Sequence, residues 1–149
     1  MDSLAGVVAF FDIGNTLASV TVSSSGDHIE RLAVLPDVPL VLATLRDRDV
    51  QLGIISDRGR IPEEEVNQAL AAAGLWDFFA PELVIYGRKD SPRIFELAAT
   101  QAGMPGSERL LLFVGEDPAE RAQAVRAGFL VASHPSLALS VLQEHTPKT

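Results

Sequence analysis

The chain has 149 residues, no cysteine and a formal net charge of -8. This length is enough for one domain with its own core, and the lack of cysteine excludes disulfides, thiolate metal sites and a sulfur nucleophile. Its acidity, without any run of Lys or Arg, disfavours nucleic acid as a partner. We see neither a secretory signal pattern nor an apolar run long enough to span a bilayer, so we expect a cytoplasmic protein without membrane association.

Short, continuous apolar runs recur along the chain, each ending at polar or Gly residues. Such runs are typical of strands buried on both faces of a parallel sheet. The runs lie at 7–11, 51–55, 82–86 and 110–114, with a weaker one at 129–132. Segments of helical periodicity separate or follow them, at 38–45, 62–70, 92–102, 118–127 and 135–144. This alternation predicts an α/β fold: a doubly wound, Rossmann-like parallel sheet of about five strands with helices on both faces.

Residues 18–35 do not fit this alternation. Two β-prone runs, at 20–22 and 29–34, flank the polar and Gly-containing segment 23–27. Such a pattern predicts a β-hairpin flap with a flexible tip after the first strand.

Chemically active residues follow the predicted strands at the points where they end. In an open α/β sheet the ligand site lies beyond these carboxyl ends, because the connecting loops converge there. The candidates in chain order are Asp12, Ser56 with Asp57, Lys89, and Glu116 with Asp117. A carboxylate nucleophile, a hydroxyl, a cation and an acid pair are the groups that Mg²⁺-assisted phosphoryl transfer needs.

Four segments also resemble, in order, the four motifs of the haloacid-dehalogenase superfamily. The first motif, Asp-x-Asp-x-Thr after an apolar strand, resembles FDIGNTL at 11–17. The other three resemble IIS at 54–56, GRK at 87–89 with PRIF at 92–95, and VGED at 114–117 with AG at 127–128. The resemblance spans nearly the whole chain, from about residue 7 to residue 135.

This resemblance implies a Mg²⁺-dependent phosphohydrolase, a phosphomonoesterase that forms an aspartyl-phosphate intermediate on Asp12. Its substrate would be a phosphorylated small molecule or a macromolecular phosphoester. The implied catalytic residues are Asp12 and Lys89. The implied phosphate-binding residues are Thr16, Ser56, Asp57 and Lys89. The implied metal ligands are Asp12, Gly14 through its backbone carbonyl, Glu116 and Asp117.

The sequence departs from the family pattern at the position of the usual general acid, where it has Gly14. A glycine cannot protonate a leaving group, and loss of a general acid typically costs about 10²- to 10⁴-fold in rate. Glu also replaces Asp at 116 and 120. An alternative is therefore a weak or silent member that binds a phosphorylated ligand or a protein partner. Glu116 and Asp117 are also compatible with capping the helix at Pro118.

Larger members of this superfamily carry a cap domain inserted after the first motif or between the second and third. Neither interval is long enough for a cap here, because the first holds the hairpin and the second a helix and a strand of the core. We therefore expect residues 1–149 to form a single core domain with an open crevice. A second copy of the chain covering that crevice is a further expectation.

Overall fold

Across residues 3–103 and 110–145, which the computed structural model describes, five strands form one parallel sheet. They are β1 (Val7–Phe11), β4 (Gln51–Ser56), β5 (Val84–Tyr86), β6 (Leu110–Val114) and β7 (Leu130–Ala132). Their order is β5-β4-β1-β6-β7, so β1 is the central strand. Every neighbouring pair runs parallel, which confirms the predicted sheet.

Helices cover both faces of this sheet. One face packs against α1 (Val38–Asp47), α2 (Glu63–Ala72) and α5 (Ala138–His145). The other packs against α3 (Arg93–Gln101) and α4 (Pro118–Arg126). Proline lies at or next to the first residue of the first four helices, where its missing N–H costs nothing and its fixed φ favours the helical turn.

The central strand explains why the apolar runs are continuous rather than alternating. Val7, Ala9 and Phe11 belong to the core on one face of the sheet, and Val8 and Phe10 to the core on the other. All five are at most 4% exposed. Since both faces are covered, every position of β1 must be apolar.

Two elements begin two or more residues later than the sequence predicts. β5 starts at Val84 instead of residue 82, because 81–83 form a 3₁₀ turn that opens with proline. This turn packs closely on β4 at Gly53, where an added Cβ would lie 2.6 Å from the carbonyl oxygen of Leu83. A second 3₁₀ turn at 135–137 precedes α5, which therefore begins at Ala138.

The predicted hairpin is confirmed as β2 (Ala18–Val22) and β3 (Ile29–Val34), paired antiparallel in a separate two-stranded sheet. It follows β1 directly and therefore lies at the carboxyl edge of the main sheet. Within the described ranges, no helix is both long and apolar enough to cross a membrane.

Candidate active site

The carboxyl ends of the central strands bring the predicted site residues together. Asp12 directly follows β1, and its backbone N–H donates to the carbonyl oxygen of Val114 at the end of β6 (3.0 Å). Ser56 ends β4, and its carbonyl oxygen accepts from the N–H of Gly87 after β5 (2.9 Å). These backbone hydrogen bonds fix the starting points of the loops that carry the reactive side chains.

The Asp12 carboxylate is held by one of its two oxygens. Oδ1 accepts from Lys89 Nζ (2.8 Å), from Ser56 Oγ (3.1 Å) and from the N–H of Ile13 (2.8 Å). Among the described residues no donor bonds to Oδ2. The side chain is 14% exposed. The carboxylate is therefore fixed in orientation while one oxygen stays available to another molecule.

Lys89 is a buried cation, with a side chain only 2% exposed. Besides Asp12 it donates to the carbonyl oxygen of Ile55 (3.3 Å), and its Nζ lies 3.2 Å from Oε1 of Glu120. A lysine is almost never buried unless its charge is paired. Here two carboxylates pair with it, so the centre of the site combines one positive and two negative groups.

Glu120 belongs to this centre although no catalytic or binding role was predicted for it; the sequence only matches it to an acid of the family pattern, with Glu in place of Asp. It lies in the first turn of α4, and burial raises the pKa of its carboxyl, an effect that nearby Lys89 opposes and Asp12 adds to. Its buried Oε1 accepts no well-aligned hydrogen bond from the described residues, although Lys89 is close. The available signal was its place one helical turn after Asp117, which turns it back toward the strand ends.

A tight turn follows Asp12 and leads into the hairpin. The carbonyl oxygen of Ile13 accepts from the N–H groups of Thr16, Leu17 and Ala18 at 2.9 to 3.2 Å. Asn15 adopts the left-handed conformation (φ 58°), which asparagine tolerates better than most residues. Thr16 is buried, and its Oγ1 has no partner among the described residues. Its role in phosphate binding stays a prediction.

Gly14 leaves an open space in this turn. A Cβ built on it meets no atom within 4 Å. Gly14 stands at the position where the resemblance places the general acid. It has no side chain, and no neighbouring residue occupies the space that such an acid would fill.

The acid pair after β6 occupies two environments. Asp117 caps α4, since its Oδ1 accepts from the N–H of Ala119 (2.8 Å), whereas Glu116 is exposed. Arg121 donates to the carbonyl oxygen of Gly115 (2.8 Å) and so holds the loop. Among residues 3–103 and 110–145, no three His, Asp or Glu side chains form a group that could hold a metal ion. The ligand roles of Glu116 and Asp117 stay predictions.

Searches against known proteins give a match in structure but not in sequence. No protein-family model and no curated protein matches the chain. An uncharacterized protein from Listeria monocytogenes serotype 4b superposes with a TM-score of 0.75 at 15% identity, over 93% of this chain and 99% of that one. A Had-superfamily hydrolase from Ehrlichia chaffeensis superposes with a TM-score of 0.67 at 13% identity, over 97% and 98%. The chain has a haloacid-dehalogenase-like fold.

A third structure with this haloacid-dehalogenase-like fold was solved with ligands. It is the D,D-heptose 1,7-bisphosphate phosphatase of B. bronchiseptica, complexed with magnesium and phosphate. Its TM-score is 0.52 at 15% identity, over 92% of this chain and 98% of that one. At this identity the likeness establishes the fold alone.

Beside Asp12, the haloacid-dehalogenase-like core and its hairpin border a partly open pocket of about 130 Å³, which we name the aliphatic pocket. Gly14 and Ser56 line it, so it adjoins the Asp12 carboxylate. Its aliphatic wall consists of Val20, Val22, Ile29, Leu32, Ile61 and Val66. Asp57 and Arg58 line it as well; Asp57 is exposed and its Oδ1 accepts from the N–H of Gly59 (2.8 Å). The predicted phosphate-binding role of Asp57 is therefore not supported by a contact with Asp12, and it stays a prediction.

Polar contacts attach the hairpin tip to the segment before and within α2. Glu65 accepts from the N–H of Ile29, and its Oε1 lies 3.1 Å from Nδ1 of His28. Arg60 donates to the carbonyl oxygen of Ser25. The hydrogen bond to Glu65 raises the pKa of His28, and the N–H of Ile29 is the main cause that lowers the pKa of Glu65. These contacts keep the hairpin over the aliphatic pocket.

Proposed function

We propose that this protein is a phosphohydrolase, a Mg²⁺-dependent phosphomonoesterase that works through an aspartyl-phosphate on Asp12. The observation that carries the proposal is the state of the Asp12 carboxylate. Three donors hold Oδ1, while no donor from the described residues bonds to Oδ2. An oriented carboxylate with one free oxygen, next to a buried cation, is what nucleophilic attack on a phosphoester requires.

In the first step Oδ2 of Asp12 attacks phosphorus, an Oδ2–P bond forms, and the P–O bond to the leaving group breaks. Lys89 Nζ, 2.8 Å from Oδ1, stabilises negative charge that develops at the phosphoryl oxygens. Ser56 Oγ orients Asp12 through its single O–H, which would turn from Oδ1 to a phosphoryl oxygen when the substrate binds. In the second step water attacks phosphorus, the Oδ2–P bond breaks, and inorganic phosphate leaves.

Mg²⁺ usually needs only one or two protein carboxylates and keeps several waters, so Asp12 with one acid of the loop after β6 would be a sufficient set of carboxylates. Asp12, the backbone carbonyl of Gly14, and Glu116 with Asp117 would hold it. Gly115, immediately before Glu116, lies beside Asp12, since a Cβ on this glycine would be 3.6 Å from that of Asp12. When bound, the ion would offset the repulsion between the carboxylate and the anionic substrate. The phosphatase neighbour solved with magnesium and phosphate supports this expectation.

A second candidate function rests on Gly14. Without a side chain that can donate a proton at this position, the site is compatible with a catalytically weak or silent module that binds a phosphorylated ligand or a protein partner. The experiment below separates the two functions.

The test is hydrolysis of phosphorylated metabolites and of an aryl phosphate by purified protein with Mg²⁺, for wild type and Asp12→Asn. We expect the substitution to abolish turnover. Asp90→Asn is the matched control, because Asp90 is exposed and contacts Arg88 rather than the site. Turnover that survives Asp12→Asn would refute the mechanism. Phosphate binding without turnover in the wild type would favour the binding module.

A further inference from the structure

The aliphatic pocket adjoins the Asp12 site but takes no part in the chemistry proposed for it. Ser56 links the two, since it lines the pocket and donates to Oδ1 of Asp12 (3.1 Å). Gly14 also lines it, and no atom lies within 4 Å of a Cβ built on this residue. The missing side chain that removes the general acid therefore also leaves room beside the nucleophile.

The wall of the pocket is chemically suited to an apolar group. Two cross-strand pairs of the hairpin contribute to it, Val20 with Leu32 and Val22 with Ile29. A sugar or polyol placed against this wall would bury hydroxyls without partners, which costs free energy.

The polar side chains that line the pocket already have partners within the protein. Ser56 donates to Asp12, Asp57 accepts from Gly59, Arg58 donates to the carbonyl oxygen of Ile61 (2.8 Å), and Tyr86 donates to Asn67 (2.7 Å). Each of these side chains thus makes one hydrogen bond within the protein, while the hairpin side of the pocket is aliphatic and offers apolar contact area.

The volume of the pocket is close to that of a site for one ring. Its volume is about 130 Å³, and an apolar cavity of about 150 Å³ is enough to bind benzene. A larger group would have to extend beyond the pocket.

The chemistry at Gly14 points to the same kind of group. Without a general acid, the leaving oxygen must depart as an anion, so its conjugate acid needs a low pKa. A phenol such as the tyrosine side chain has a pKa of about 10, whereas the pKa of bulk water, which an aliphatic alcohol resembles, is much higher. An aryl phosphate satisfies both conditions, because its ring fits the aliphatic wall and its phenolate leaves unaided.

We infer that the substrate class is an aryl phosphate monoester, with its ring in the aliphatic pocket and its phosphorus at Oδ2 of Asp12. This inference rests on the proposed function. In the step, the Oδ2–P bond forms, the P–O(aryl) bond breaks with its electron pair going to the phenolate, and the phenolate takes a proton from solvent.

The experiment compares kcat/KM with Mg²⁺ for phenyl phosphate, an n-alkyl phosphate and acetyl phosphate. Acetyl phosphate has a good leaving group but no ring, so it reports the Asp12 chemistry without the pocket. We expect phenyl phosphate to exceed the alkyl phosphate by about 10²-fold or more, the size of a missing general-acid contribution. A phosphotyrosyl peptide identifies the source of the ring: comparable kcat/KM indicates a protein substrate, and a tenfold lower value indicates a small molecule.

Substitutions in the hairpin test whether the pocket binds the ring. Leu32→Asn keeps side-chain size but makes the wall polar. We expect the ratio of kcat/KM for phenyl phosphate to kcat/KM for acetyl phosphate to fall about tenfold, because the ring loses apolar contact with the wall. Val22→Asn, at a position 45% exposed, gives the same test without threatening the fold. Leu97→Asn is the control, since Leu97 is 49% exposed on α3, and the ratio should not change.

The outcomes separate this inference from the proposed function. Two results would overturn the inference alone, provided that acetyl phosphate is hydrolysed. One is equal kcat/KM for phenyl and alkyl phosphate. The other is a ratio of phenyl phosphate to acetyl phosphate kcat/KM that neither hairpin variant changes. No turnover of any substrate overturns the proposed function. In that case the affinities of phenylphosphonate and methylphosphonate test whether the pocket binds a ring. Binding of phenylphosphonate that is at least tenfold tighter, and that Val22→Asn weakens, supports ring binding in the pocket. Equal affinities for the two phosphonates overturn it.

Discussion

Replacing Lys89 with Met tests the centre of the candidate site most directly. The substitution keeps side-chain length and apolar stem but removes a charge that is 2% exposed. It leaves the carboxylates of Asp12 and Glu120 without the cation that lies 2.8 and 3.2 Å from them. We therefore expect losses in both stability and turnover.

The magnitude follows from the contacts that are lost. A hydrogen bond between charged groups contributes about 1.5–3 kcal/mol, and the longer bond from Lys89 to the carbonyl oxygen of Ile55 contributes about 1 kcal/mol. Asp12 and Glu120 are 14% and 25% exposed, so water offsets part of the loss. We expect a net decrease of about 2–3 kcal/mol in the free energy of unfolding. With an m-value of about 2 kcal/mol/M, the urea midpoint falls by about 1–1.5 M.

The assay is urea unfolding at pH 7, followed by kcat on an aryl phosphate. Turnover should fall about 10²- to 10³-fold, the effect of removing one preorganised donor. Arg88→Met is the matched control: Arg88 pairs with Asp90 at 3.5 Å, but their side chains are 80% and 66% exposed. Adding Glu120→Gln to Lys89→Met should recover stability by removing an unpaired carboxylate. Equal midpoints for the Lys89 and Arg88 variants would refute the reasoning.

Three further predictions concern other parts of the molecule. Gly14→Asp should raise kcat on alkyl phosphates by about 10²- to 10⁴-fold without loss of stability, because a Cβ there meets no atom within 4 Å; an unchanged rate measured under saturating substrate would contradict this. NMR titration should place the pKa of His28 above 6.5, and Glu65→Gln should return it toward that value. The pKa of His28 is higher in the folded protein than in the unfolded chain. The stabilisation from its contact with Glu65 is therefore complete below pH 6.5 and is lost as the pH rises through the pKa of the folded protein. Gly53→Ala should destabilise by about 1–3 kcal/mol in urea unfolding, because its Cβ would lie 2.6 Å from the Leu83 carbonyl oxygen; a neutral effect would show that the turn can shift.

The sheet and the centre of the site follow from sequence because each rests on a local pattern. The five apolar residues of β1 predict a strand covered on both faces. The rule that ligands meet at strand carboxyl ends then brings Asp12, Ser56 and Lys89 together, and hydrogen bonds of 2.8 and 3.1 Å join them. Local pattern and topology are sufficient to predict this part of the site.

The remaining features depend on contacts between distant parts of the chain. Glu120 reaches Lys89 only because α4 packs next to the loop after β5, which its own sequence does not specify. The aliphatic pocket requires the hairpin to dock on α2, and the contact that holds it joins His28 to Glu65, 37 positions apart. Likewise β5 begins late because the turn at Pro81 packs on β4.

The hairpin forms a sheet separate from the main sheet. This separation affects where the protein unfolds locally and what mutations in the hairpin do. β2 and β3 bond to each other in their own sheet, whereas Asp12 is anchored to β1 and β6. Local opening free energies are lowest where little is buried and highest in central strands. Amide exchange should therefore be fast in the hairpin and slow in β1. On the proposed function, recognition and bond cleavage would then lie in separate cooperative units, and we expect mutations in the hairpin to alter the preferred substrate while Asp12 keeps its geometry.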